Sequence, residues 1–228
     1  MSWADGSRTA LVLVRHGQTD WNLEGRYQGR TDVALNAVGR EQAERLAAEL
    51  ATSKIGAVYS STLRRSLETA VAIARVHSLE VRPDPRLVEI DQGEWEGVLS
   101  TRIAERYPAL YRRWCEDPRT ARPPGGESIA DVHDRVIPAV EEIVGRHPGE
   151  TICLVTHKTA IVVIRTHYLG LDLREEMARM PRNASWERLE IAVSTPAPRT
   201  PGTRCCSAAA RLDAGVVPPA SSARPAEG

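Results

Sequence analysis

The chain has 228 residues, 42% of them apolar, which is enough for a substantial core in one domain or two small ones. Its 30 basic and 30 acidic side chains cancel, so nothing in the charge argues for a nucleic-acid or anionic-membrane partner. No apolar stretch is long enough to span a bilayer, and the N-terminus lacks a signal-peptide apolar region. The four cysteines, Cys115, Cys153, Cys205 and Cys206, have neither a disulfide-framework nor a zinc spacing. The expected setting is the cytoplasm.

Taken in chain order, Ala10 to Val14 reads as a short buried strand, ended by Arg15, His16 and Gly17. A polar loop follows over Gln18 to Val33. Asn36 is a good N-cap for a helix whose apolar face is Ala43, Leu46, Ala47 and Leu50. Ile55 to Tyr59 predicts a second strand, and Ser60-Ser61 a cap for a helix with Leu67, Ala70, Val71 and Ala74 on one side. Glu80 to Arg82 predicts a short strand and Leu87 to Gly97 a loop. Thr101 to Glu116 has a helical pattern carrying Tyr107, Tyr111 and Trp114. The prolines and glycines at 123–126 break it. A long helix then runs from Glu127 through Ile129, Val132, Val136, Val140 and Ile143, with a kink expected at Pro138. Thr151 to Thr156 is a third strong strand, followed by a helix from about Thr159 to Leu169 and a last strand over Trp186 to Val193. The alternation predicts an α/β layer fold with a mostly parallel sheet. From Thr195 to Gly228 Pro, Ala, Ser and Thr dominate without periodicity, and a disordered tail is expected there.

Two strands end alike, in Val14-Arg15-His16 and in Val155-Thr156-His157. In a parallel sheet both histidines face the crevice beyond the strands' carboxyl ends, where ligands of such sheets bind. Arg64 follows the second strand on the same edge, and Glu89 lies in a loop that can reach it. Two histidines, two arginines and one carboxyl group suit phosphoryl transfer. Arginine matches the equatorial oxygens of a phosphoryl group and stays charged. A neutral imidazole is a competent nucleophile, which neighbouring cations help keep neutral. A carboxyl group can protonate a leaving alkoxide and later activate water. This chemistry calls for no metal and no cofactor.

The runs RHGQTDWN (15–22), YQGRTDVALNAVGREQA (27–43), SSTLRRSLETA (60–70), LVEIDQGEWEG (87–97), GGES (125–128) and VTHK (155–158) occur in an order that resembles the histidine phosphatase superfamily, the phosphoglycerate mutase-like group. The resemblance covers about residues 10–192, and a domain of that family is expected over residues 1–194. It implies a three-layer α/β/α sandwich with a helical insertion over the active site. It also implies His16 as the nucleophile that becomes phosphorylated, with Arg15, Arg64 and His157 around the phosphate. Glu89 is then the proton donor and acceptor, and Gln18, Thr19, Asn22, Gln28, Gly29 and Lys158 form the substrate-binding set.

Lys158 stands where the family usually has glycine; it either reaches the substrate or points to solvent, the reading preferred here. The mutases follow the acid with an Arg and a Tyr, whereas Glu89 is followed by Ile90, Asp91, Gln92 and Gly93, closer to the phosphatase branch. The expected function is a phosphomonoesterase acting on a small phosphorylated metabolite. Its rivals are a cofactor-dependent phosphoglycerate mutase and a non-catalytic binding module on the same fold. Arg65 is expected to be a solvated helix charge, and Arg135 an ion-pair partner. Structural or surface roles are expected for His77, His133, His147 and His167. Tyr107, Tyr111 and Trp114 are expected to pack as core ahead of serving as a lid, and Asn183 to sit in a turn that could contact the site. Neither the natural substrate nor the oligomeric state is encoded in a recognisable pattern.

Overall fold

A computed structural model describes residues 8–179 and 181–192 and the backbone of 210–212. The sheet has the order β3-β2-β4-β1-β5-β6, formed by Arg8–Arg15 (β1), Ile55–Ser60 (β2), Val81–Pro83 (β3), Thr151–Thr156 (β4), Trp186–Ala192 (β5) and Ala210–Leu212 (β6). β1, β2, β3 and β4 run parallel, and β5 lies antiparallel against β1. The tail expected at 195–228 falls mostly outside the described residues; within it, β6 pairs antiparallel with β5.

Side chains alternate across a strand, so each buried strand feeds two cores. Val12, Val14, Val58, Cys153 and Val155 face Ala37–Leu50 (α2) and Arg64–Val76 (α3). Leu11, Leu13, Tyr59, Ile152 and Leu154 face Ile129–Arg146 (α6) and Lys158–Leu169 (α7). The result is the three-layer α/β/α sandwich. Each fully buried aliphatic side chain in these layers contributes about 1.5–3 kcal/mol of transfer free energy.

Several elements differ from the sequence reading. The loop after β1 contains a one-turn helix, Asp20–Glu24 (α1), closed by a Thr19–Asn22 capping box. The helix after β2 starts at Arg64 and not beside Ser60, and its buried face is Arg65, Ser66, Thr69, Ala70 and Ile73, leaving Val71 exposed. The expected helix over 101–116 is two, Ser100–Arg106 (α4) and Pro108–Glu116 (α5), because Pro108 favours a first-turn position and disfavours helix at Tyr107. Leu173–Arg179 (α8) is a further helix beyond those the sequence pattern predicts. α6 continues through Pro138, which sits on its exposed side, where water can satisfy the Asp134 carbonyl the proline leaves free.

Candidate active site

β1 and β4 are hydrogen-bonded neighbours, with Arg15 level with Thr156, so the residues that follow them emerge side by side. The rings of His16 and His157 lie 5.1 Å apart. His16 is 3% exposed and its Nδ1 is 2.7 Å from the Gly17 carbonyl. A carbonyl only accepts, so Nδ1 carries the proton and Nε2 keeps its lone pair. Gly17 itself permits no side chain, since a Cβ would stand 2.4 Å from the Gly39 carbonyl oxygen. Its N–H donates to Thr69 Oγ1, and Ala184 N–H and Asn183 Nδ2 donate to the His16 carbonyl, fixing the turn from both sides. His157 is fully buried, with Nε2 2.7 Å from Ser61 Oγ and 3.2 Å from Ser66 Oγ, while Nδ1 has no partner among the described residues.

The second arginine of the site is Arg65, and this corrects the expectation of Arg64. Arg64 opens α3 on its exposed side, in line with Glu68, Val71 and Arg75, and its backbone N–H donates to Asp32. One residue of helix turns the side chain by about 100°. That step carries Arg65 inward, where it is fully buried and donates to the carbonyls of Gly29 at 2.8 Å and Thr31 at 2.9 Å. Arg15 is held by the Pro181 carbonyl at 2.6 Å. Each of the two guanidiniums keeps a buried Nε without a partner.

Glu89 is 9% exposed and accepts from the N–H groups of Ile90 at 2.9 Å and Thr159 at 3.2 Å. Its loop is anchored by Arg135 on α6, which donates to the carbonyls of Arg86, Val88 and Glu89 and pairs with Glu127 at 2.9 Å. The ion-pair role expected of Arg135 thus extends to positioning that loop.

Arg15, His16, Arg65 and Glu89 line a cleft of about 470 Å³, walled also by Asn22, Gln28, Gly29, Lys158, Tyr111, Trp114, Met177 and Asn183; His157 lies buried behind His16 and is not among the lining residues. Gln28 and Gln92 each present a buried Oε1 with no partner. Gln18 and Thr19, expected at the substrate, do not line the cleft. Thr19 is the buried N-cap of α1, and Gln18 bonds to Gln42 and Asn36. Lys158 is not turned to solvent: it is half-buried in the cleft wall. Trp114 is core and cleft wall at once, packed edge-on to buried Trp95, and Tyr111 borders the cleft beside it. His147 bonds to Tyr59 and Glu150, and His133 to His167, away from the cleft, as structural roles require.

Burial first, and then the positive charge of Arg65, hold both His16 and His157 well below the ordinary imidazole value. Burial also lowers Arg65, to about 10, and Lys158, to about 8. A cleft with neutral imidazoles and guanidinium donors at its base is complementary to a phosphoryl group, whose charge lies on oxygens that those donors match.

Comparison with known proteins agrees. The model of the histidine phosphatase superfamily (branch 1) matches residues 11–201. Phosphoserine phosphatase 1 of Hydrogenobacter thermophilus is 40% identical over 181 residues, 79% of this chain and 86% of that protein. A bifunctional protein of Mycobacterium tuberculosis is 44% identical over 162 residues, 71% of this chain; the match spans only 44% of that protein's length. A mycobacterial glucosyl-3-phosphoglycerate phosphatase in complex with VO3 superimposes with a TM-score of 0.77 at 35% identity, covering 90% of this chain and 96% of that one. The chain belongs to the histidine phosphatase superfamily.

Proposed function

We propose that this protein is a metal-independent phosphomonoesterase that works through a phosphohistidine on His16. The observation that carries the reading is the His16 tautomer: Nδ1 is committed to the Gly17 carbonyl, so Nε2 is the free nucleophile, buried beside Arg15 and Arg65. Nε2 attacks phosphorus and forms the N–P bond as the ester P–O bond breaks. The protonated Glu89 carboxyl gives its proton to the leaving oxygen. Glu89, then ionised, takes a proton from water as that water's oxygen attacks phosphorus, the N–P bond breaks and phosphate leaves. Arg15, Arg65 and the His157 Nδ1 side hold the phosphoryl oxygens, with Asn22, Gln28 and Gly29 closing the pocket around them. In this reading the guanidiniums supply the charge stabilisation that a metal gives elsewhere.

Two further points favour hydrolysis over a mutase. The phosphatase names of the relatives agree with it. The residues after Glu89 also serve the loop itself: Ile90 is fully buried, and Asp91 accepts from Gly93 N–H and pairs with Arg30. The cleft volume suits a small phosphorylated metabolite. Among the described residues no helix is long and apolar enough to cross a membrane, and the free thiols of Cys115 and Cys153 suit the reducing cytoplasm.

The test is phosphate release from p-nitrophenyl phosphate and a panel of phosphomonoesters in EDTA, for wild type and His16→Ala. Turnover in the wild type that is lost in the variant supports the reading. A wild type that releases no phosphate from any ester overturns it.

A further inference from the structure

β2 and β4 are neighbours with Ser60 level with Val155, and Ser61 N–H donates to the Val155 carbonyl at 3.0 Å. Ser61, the residue after β2, therefore stands beside His157, the residue after β4. Ser61 Oγ lies 2.7 Å from His157 Nε2, and Ser66 Oγ, in the first turn of α3, lies 3.2 Å from the same nitrogen. All three residues are fully buried, so their hydrogens depend on partners inside the protein. The same turn carries Arg65, so the segment from Ser61 to Ser66 shapes two parts of the phosphate site at once.

Burial keeps His157 neutral, and a neutral imidazole carries one hydrogen, on Nδ1 or on Nε2. Among the described residues no carbonyl or carboxylate accepts from either serine hydroxyl, so Nε2 is the one acceptor within their reach. With the hydrogen on Nε2, the Ser61 hydroxyl hydrogen has nowhere to go, and Nδ1 presents a lone pair to the phosphoryl oxygens. With the hydrogen on Nδ1, Ser61, the nearer hydroxyl, donates to Nε2 while its oxygen accepts from Leu63 N–H at 3.2 Å. Nδ1, which has no partner in the protein, then keeps its N–H for a phosphoryl oxygen. A donor that stays neutral adds a hydrogen bond to the phosphoryl group without placing a third positive charge beside Arg15 and Arg65.

We propose that Ser61 is a positioning residue: its hydroxyl donates to His157 Nε2 and so holds the ring hydrogen on Nδ1, ready for a phosphoryl oxygen in the transition state. The inference rests on the phosphatase reading above. It is tested by nitrogen-15 NMR of the full chain labelled at histidine, with the His157 signals identified by their absence from His157→Asn, and by kinetics on p-nitrophenyl phosphate. In the wild type Nδ1 is expected to bear the hydrogen and Nε2 to be bare. In Ser61→Ala the hydrogen moves at least partly to Nε2, facing Ser66, and kcat falls by about tenfold to a hundredfold while KM changes less. Ser61→Thr, which keeps the hydroxyl, retains the tautomer and recovers most of kcat. A wild type with the hydrogen on Nε2 overturns the inference while phosphate release stands, and this reading needs no variant to fold. Ser61→Ala that changes neither the tautomer nor kcat, or only one of them, overturns it as well. A wild type that hydrolyses no ester overturns the phosphatase reading, and the role of Ser61 in it, even with the hydrogen on Nδ1.

Discussion

Arg135 reaches across from α6 to donate to the backbone carbonyl of Glu89 at 3.0 Å. The same guanidinium holds two further carbonyls of that loop and the Glu127 carboxylate, which in turn accepts from Asp91 N–H. A side chain remote from the phosphate thus sets where the proposed proton donor stands. Removing it takes from the mostly buried Glu127 carboxylate one of its two guanidinium partners, Arg30 being the other, and leaves three carbonyls without that donor. Arg135→Ala is expected to destabilise the fold by about 2–3 kcal/mol in denaturant unfolding. It should also lower kcat more than it changes KM, with Arg135→Lys recovering stability better than kcat.

Arg64 and Arg65 are adjacent and predict opposite outcomes. Arg65→Ala removes a buried guanidinium from the phosphate pocket and is expected to lower kcat/KM for any phosphomonoester by about a thousandfold. Arg64→Ala touches an exposed side chain and should stay within about twofold. Steady-state kinetics on p-nitrophenyl phosphate distinguish them.

That pair also marks where the sequence is legible and where it stops. The strand ends were readable because β1 and β4 are continuous apolar runs that stop at a histidine, and a parallel sheet brings such ends together. α2 was readable from Asn36 and its apolar spacing. The assignment of Arg64 failed on phase: starting the third helix at Ser60-Ser61 hid the stripe Arg64, Glu68, Arg75, whose charges mark the exposed face. Arg65, Thr69 and Ile73 lie on the inward side of the same helix, a signal present in the sequence but subordinate to helix start. α1 and α8 are too short to show periodicity. That Lys158 lines the cleft together with Tyr111 and Trp114 of α5 follows from tertiary packing, which no local pattern encodes.

Gly29 has φ +54°, and a Cβ there would lie 2.0 Å from Glu96 Oε1. Glu96 accepts from Arg30 and Thr31 N–H and so closes the turn whose Gly29 carbonyl holds Arg65. Gly29→Ala is expected to destabilise by about 1–3 kcal/mol, from strained backbone and the displaced carboxylate. Through the misplaced guanidinium it should lower kcat/KM more than tenfold. Thermal unfolding and kinetics of the same preparation check both.

The two site histidines predict a pH dependence of stability. Folding holds both below the ordinary value of 6.5, so between that value and their folded values the unfolded chain binds more protons. Stability therefore falls as pH drops below about 6.5, and is free of this penalty above it. The slope of unfolding free energy against pH over this window should flatten in His157→Asn. An unchanged slope would mean that the ring is not buried as described. By the same argument, His16 stays neutral below pH 6.5, so kcat should show no acid limb from an ordinary imidazole.

The central claim is that His16 Nε2 carries the phosphoryl group. Mixing enzyme with a rapidly hydrolysed phosphomonoester, quenching in base and mapping the acid-labile phosphate by mass spectrometry tests it directly. The expected result is phosphate on the peptide containing His16, at a nitrogen that phosphorus NMR assigns to Nε2, and none in His16→Ala. Turnover that persists in His16→Ala, or an acid-labile phosphate on another residue, would contradict it.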